Sequence, residues 1–193
     1  MKRVVITGMG IYSCIGKNLE EVKTSLYKGK SGIVYDQERK DFGYRSPLTG
    51  MVESPNLKKQ LSRRERISLG DEGAYAYVAT IEALENAKLT QDYIDNNEVG
   101  ILYGNDSTAK AVVDSVDKIR EKKDTTLVGS GAIFKAMNST VTMNLSTLFK
   151  LTGVIKGTVV ALPFFTGEGV LFSGDLTYSE SLSLPFLTSL SPK

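Results

Sequence analysis

The feature that most constrains this chain is a succession of two short buried-strand signals flanking a long helical pattern. Residues 2–7 (KRVVIT) are a β-branched run closed by Gly8, and residues 99–103 (VGILY) are a second run stopped by Gly104. Runs of this length and composition suit strands covered on both faces. Between them, residues 66–89 place Ala74, Val78, Ile81 and Leu84 on one face, with Glu82, Glu85 and Lys88 largely opposite. That is the period of an amphipathic helix. Strand, helix and strand in this order predict an α/β fold with a parallel sheet and a right-handed crossover.

The remaining segments fit around that unit. Residues 18–27 (NLEEVKTSLY) predict a helix with Asn18 as N-cap and Glu20 and Glu21 in the first turn, ended near Gly29 and Gly32. Residues 33–62 hold Pro47, Pro55 and mixed charges without sustained periodicity, and read as a surface excursion with short strands or turns. Asp95, Asn96 and Asn97 predict a turn before the second strand, and residues 108–122 a helix solvated on several sides. Gly129 and Gly131 precede a helix carrying Phe134, Met137, Val141, Leu145 and Leu148 on one face. After Gly153 the character changes: arginine disappears, residues 158–165 (TVVALPFF) could form a strand, and the last stretch alternates serine and leucine around Pro185. The expected division is therefore 1–153 and an atypical 154–193.

Composition excludes several function classes. The net charge of +2 argues globally for neither nucleic acid nor a membrane surface. The single cysteine, Cys14, allows no intrachain disulfide and no thiolate zinc site, and the chain has no histidine. No metal site and no cofactor are expected. Absence of histidine also removes the side chain best suited to proton transfer near neutrality. Lys2 and Arg3 before the apolar run imitate a signal peptide, but Gly8, Gly10 and Ser13 interrupt it and no small-residue cleavage pattern follows. No stretch reaches the 18 or so apolar residues of a membrane helix. A cytoplasmic protein is the expectation.

Residues 5–16 (VITGMGIYSCIG) begin like a dinucleotide-binding turn. The third glycine of such a turn would fall on Ser13, and the following helix starts too late to sit under a pyrophosphate. Tight backbone packing at Gly8 and Gly10 accounts for the glycines better, leaving a nucleotide-binding oxidoreductase as the weaker alternative.

The same opening (KRVVITGMGIYSCIG), with GKSGI at 29–33, residues 63–78, VGILYGNDST at 99–108 and KAMNSTVTMNLSTLFKLTG at 135–153, resembles the N-terminal half of the elongating β-ketoacyl-acyl carrier protein synthases. The resemblance implies a partial thiolase-like fold, the N-terminal half of a layered α-β-α-β-α arrangement, in a dimeric enzyme. It implies fatty acid or polyketide synthesis: an acyl chain moves from a carrier thiol to an active cysteine, then condenses with a malonyl-carrier carbanion as carbon dioxide leaves. The nucleophile in that family sits at a helix N-terminus, and two histidines and an oxyanion hole stabilise the enolate and tetrahedral intermediate.

In the resembled family the nucleophile lies nine residues beyond a glycine matching Gly153, which here is Leu162 after Ala161. Leucine cannot form a thioester, and loss of a nucleophile typically costs about a million-fold in rate. Cys14 has no base at hand and reads as a small buried thiol. The chain alone is therefore expected to be inactive, as a truncated or frame-shifted product, one piece of a split enzyme, or a non-catalytic partner resembling chain-length factors. Arg63, Arg64 and Arg66 form the sharpest basic cluster: a solvated helix start, or the patch that by resemblance receives acidic acyl carrier protein. Gly104, Asn105, Asp106 and Ser107 match the family's turn beside the acyl pocket, though turn chemistry alone explains Asp106 as well. Phe134, Met137 and Val141 match a helix near the family's dimer interface, and equally fit core packing. The expected partners are acyl carrier protein and a second copy or second condensing-enzyme chain. An incomplete layered fold is expected to expose apolar surface and a strand edge.

Overall fold

The computed structural model describes residues 4–105, 109–158 and 168–172. The first strand, β1 (Gly8–Tyr12), leads through a Ser13–Gly16 bridge to α1 (Leu19–Tyr27). Asn18 caps that helix as its pattern predicts, its side chain accepting the Glu21 N–H at 2.9 Å. The excursion that follows holds β2 (Ile33–Tyr35), α2 (Gln37–Asp41) and β3 (Leu48–Gly50), the two strands pairing antiparallel. Next come α3 (Arg63–Ile67), α4 (Gly70–Ala87), α5 (Gln91–Asn96) and β4 (Ile101–Gly104). Three helices, α6 (Ala109–Lys122), α7 (Gly131–Lys135) and α8 (Thr140–Leu148), precede β5 (Ile155–Thr158) and β6 (Glu168–Phe172).

Helix α4 is the centre of the core. Ala76, Ala79 and Ala83 are fully buried, and their small side chains let the backbone of β1 lie directly on the helix. A Cβ on Gly10 would fall 2.7 Å from the Ala83 nitrogen and 2.9 Å from the Ala79 carbonyl carbon, so the close approach requires glycine. Glu82 completes the joint: its carboxylate accepts the Ile11 N–H at 2.9 Å and the Leu19 N–H at 2.7 Å. Val141 and Leu145 of α8 are fully buried in the same core, and Tyr77 stacks on Phe149 with ring centroids 5.6 Å apart.

Several expectations need correction. The first described strand begins at Gly8 and runs to Tyr12; among the described residues Val4, Val5 and Ile6 of the expected strand are exposed and belong to no ladder, the pairing with β6 running only from Gly8 to Tyr12. The second strand begins at Ile101 and includes Gly104. The helix predicted over 66–89 is broken at Gly70, whose φ of +68° turns the chain between α3 and α4. Its most buried face carries Gly73, Ala76, Tyr77, Thr80, Ala83 and Leu84, while Ala74, Val78 and Ile81 are only partly buried. Glu82, read as solvent-facing, is the clamp just described. Asp95 and Asn96 close a short helix capped by Thr90 rather than forming a turn. The helix predicted through Phe134 to Leu148 is two helices separated at residues 136–139.

Strand pairing also differs from the simplest reading. Among the described residues, the parallel ladder is β4 with β5 (Ile101 opposite Ile155), whereas β1 pairs antiparallel with β6. The expected crossover from the first strand to the second therefore joins strands of different ladders. Exposed apolar surface is present as expected: Leu102 and Ile155 project from the parallel ladder, and α6 buries none of its residues. The apolar segments at 159–165 and 182–187 lie outside the described residues.

Candidate functional site

The basic cluster is mounted on a helix that caps itself. Ser62 and Glu65 form a reciprocal capping box: the Ser62 hydroxyl accepts the Glu65 N–H at 3.3 Å, and the Glu65 carboxylate accepts the Ser62 N–H at 2.7 Å. Hydrogen bonds from the Ser62 side chain and then from its backbone hold the Glu65 carboxyl below the usual glutamate range. Glu65 is thus occupied by the cap. Among the described residues no ion pair involves Arg63, Arg64 or Arg66.

Arg63 and Arg64 are exposed, whereas Arg66 is half-buried and its Nε donates to the Leu61 carbonyl at 3.1 Å. Arg66 lines an open cleft of about 310 Å³ with Pro55, Leu57, Lys58, Leu69 and Gly70. Lys58 adds a cation that the sequence reading passed over, although the run KKQLSRRER placed it within eight residues of Arg66. Guanidinium and ammonium groups with no carboxylate partner among the described residues suit recognition of a surface bearing carboxylates or phosphates.

Behind this elbow lies a buried polar network that no sequence motif announces. Ser68 donates to Asn144 Oδ1 at 2.7 Å; Asn144 Nδ2 donates to the Ser68 carbonyl at 3.1 Å and to the Thr140 carbonyl at 2.7 Å. The Thr140 hydroxyl also donates to the Ser68 carbonyl, at 3.3 Å. Thr140 is fully buried and Asn144 nearly so.

The other candidate residues are dispersed. Gly104 ends β4, and Asn105 is buried with its Nδ2 donating to the Asn138 carbonyl at 3.2 Å, which ties the turn after β4 to the link between α7 and α8. Asp106, Ser107 and Leu162 lie outside the described residues. Phe134 and Met137 are exposed, 43% and 42%, whereas Val141 is fully buried, so of the three only Val141 is core. Cys14 is half-buried rather than buried. Among the described residues no acidic, cysteine or histidine cluster could hold a metal ion, and no helix is long and apolar enough to cross a membrane.

The α/β arrangement with α4 under β1 and α8 beside the parallel ladder is a partial thiolase-like fold. The chain belongs to the β-ketoacyl synthase family: residues 1–160 match the family described as "Beta-ketoacyl synthase, N-terminal domain". It is 38% identical over 156 residues to 3-oxoacyl-[acyl-carrier-protein] synthase 1 of Buchnera aphidicola subsp. Baizongia pistaciae, and 37% identical over 156 residues to that of Escherichia coli strain K12. Each match covers 80% of this chain and 38% of the relative, so the chain spans well under half the length of these relatives. A solved β-ketoacyl synthase from Burkholderia phymatum STM815 superposes with a TM-score of 0.71 at 26% identity, over 82% of this chain and 39% of that one.

Proposed function

We propose that this chain is the carrier-docking part of a 3-oxoacyl-acyl carrier protein synthase of fatty acid or polyketide synthesis, and that alone it binds carrier without performing the condensation. The observation that carries the reading is the elbow at α3 and α4. Arg63, Arg64, Arg66 and Lys58 face solvent or the cleft, Glu65 between them is held in a capping box, and a polar network backs the elbow. An acidic carrier surface is the complementary partner.

The second half of the proposal rests on the sequence. The family's nucleophile position, counted from Gly153, falls on Leu162, and no histidine is present to stabilise an enolate. The family match runs to residue 160, seven residues past the change of character at Gly153. Gly104 and Asn105 take the place of the turn beside the acyl pocket. Exposed Phe134 and Met137 belong to a surface for a second copy or a second condensing-enzyme chain.

Affinity for a bacterial acyl carrier protein tests the docking reading. Weak binding at low ionic strength, abolished in Arg63→Glu/Arg64→Glu/Arg66→Glu, is expected. Equal affinity of the wild-type and charge-reversed chains would return the cluster to an ordinary solvated helix start.

A further inference from the structure

We propose that Asn144 and Ser68 form a polar latch that positions the basic face of α3 for its partner; the inference rests on the docking reading above. Helix α3 has five residues, too few to hold an orientation by its own hydrogen bonds. Arg63 and Arg64, being exposed, do not anchor it. Its direction is set at its C-terminal end, where Ser68 is the cap residue and Leu69 is 2% exposed before the turn at Gly70.

Ser68 is gripped by α8 at its hydroxyl and at its carbonyl. Its hydroxyl donates to Asn144 Oδ1, and its carbonyl accepts from both Asn144 Nδ2 and the Thr140 hydroxyl. Residues 68 and 144 are far apart in sequence, so the latch fixes the elbow to α8 rather than to its own neighbours. Part-buried and cross-connected, such a ring favours one geometry, and removing the Ser68 hydroxyl leaves Asn144 Oδ1 without its donor.

None of the latch residues carries charge, and Thr140 and Asn144 are buried away from the surface. Breaking the latch therefore leaves the electrostatic attraction in place and disturbs only the geometry in which the arginines are presented. Affinity should fall while its dependence on salt stays the same, a combination that charge removal cannot produce.

The test measures carrier-protein affinity across a salt series, with thermal melts, for the full wild-type chain and for Asn144→Leu, Ser68→Ala and Ser68→Thr. Asn144→Leu and Ser68→Ala should bind roughly fivefold more weakly, the equivalent of one net hydrogen bond, with the wild-type salt slope. Ser68→Thr keeps the donor and should bind like wild type. Ser68→Ala is the milder change, and gives the same readout where Asn144→Leu does not fold. A lowered melting temperature with unchanged affinity in Ser68→Ala would make the ring purely structural and overturn the latch alone. Absence of binding by the wild-type chain at low salt would overturn the latch together with the docking reading.

Discussion

Replacing Gly10 by alanine should separate β1 from α4. The new methyl carbon would sit 2.9 Å from the Ala79 carbonyl carbon and 2.7 Å from the Ala83 nitrogen, both main-chain atoms that no rotamer change can move. The Ala79 carbonyl oxygen lies closer still and the methyl carbon would overlap it outright, so strand and helix must part by about 1 Å or more, which forfeits about half of each facing dispersion contact. Overpacking of this kind costs about 1–3 kcal/mol, and a main-chain obstacle puts Gly10→Ala at the upper end. Lower unfolded-state entropy returns about 0.4–1 kcal/mol, leaving a net loss of about 2 kcal/mol, near thirty-fold in the folding equilibrium. Urea unfolding followed by circular dichroism measures it. Gly29→Ala is the control, since nothing lies within 4 Å of its new methyl and its φ of +61° alone should cost about 1 kcal/mol. A Gly10→Ala chain as stable as wild type would refute the close-packing account of the β1 glycines and reopen a ligand-binding role for them.

Three further outcomes follow from buried or capping groups. Glu82→Ala should destabilise the chain by about 2 kcal/mol in the same urea assay, because the Ile11 and Leu19 N–H groups lose a charged acceptor. Thr80 is fully buried and its hydroxyl makes no hydrogen bond among the described residues, so Thr80→Val should be neutral or stabilising by up to about 1 kcal/mol; a loss of that size would reveal a hidden partner. Because the folded Glu65 carboxyl titrates below its ordinary value, its contribution to α3 is complete above the unfolded glutamate pKa and is lost as pH falls through the folded one. Amide exchange at residues 63–66, corrected for intrinsic rates, should therefore rise on acidification into that range in wild type and be pH-independent in Glu65→Ala.

The elements most legible in the sequence were those whose ends carry side-chain signals. Asn18 announced α1, and α6 looked as solvated as it is. Boundaries decided by backbone geometry or by distant partners were not legible. Gly8 read as the end of a strand because glycine usually breaks one, yet it opens β1, and the tight packing expected at Gly8 and Gly10 is the contact of that strand with α4. The break at Gly70 was masked by the continuous helical composition on both sides of it. Of the site, the arginines were visible as a charge run. Lys58 joins them only through the cleft, and the ring of Ser68, Thr140 and Asn144 assembles from uncharged residues with no motif between them. Glu82 looked like one more solvent-facing acid until the chain reversal brought two main-chain donors to it.

Native mass spectrometry of the chain mixed with an acyl-loaded carrier protein tests the central claim most directly, because one spectrum reports both docking and chemistry. The account predicts a non-covalent complex at low ionic strength that disappears as salt is added, and a released chain whose mass is unchanged. A chain that forms no complex, or one that carries the acyl group on Cys14 after release, would contradict it.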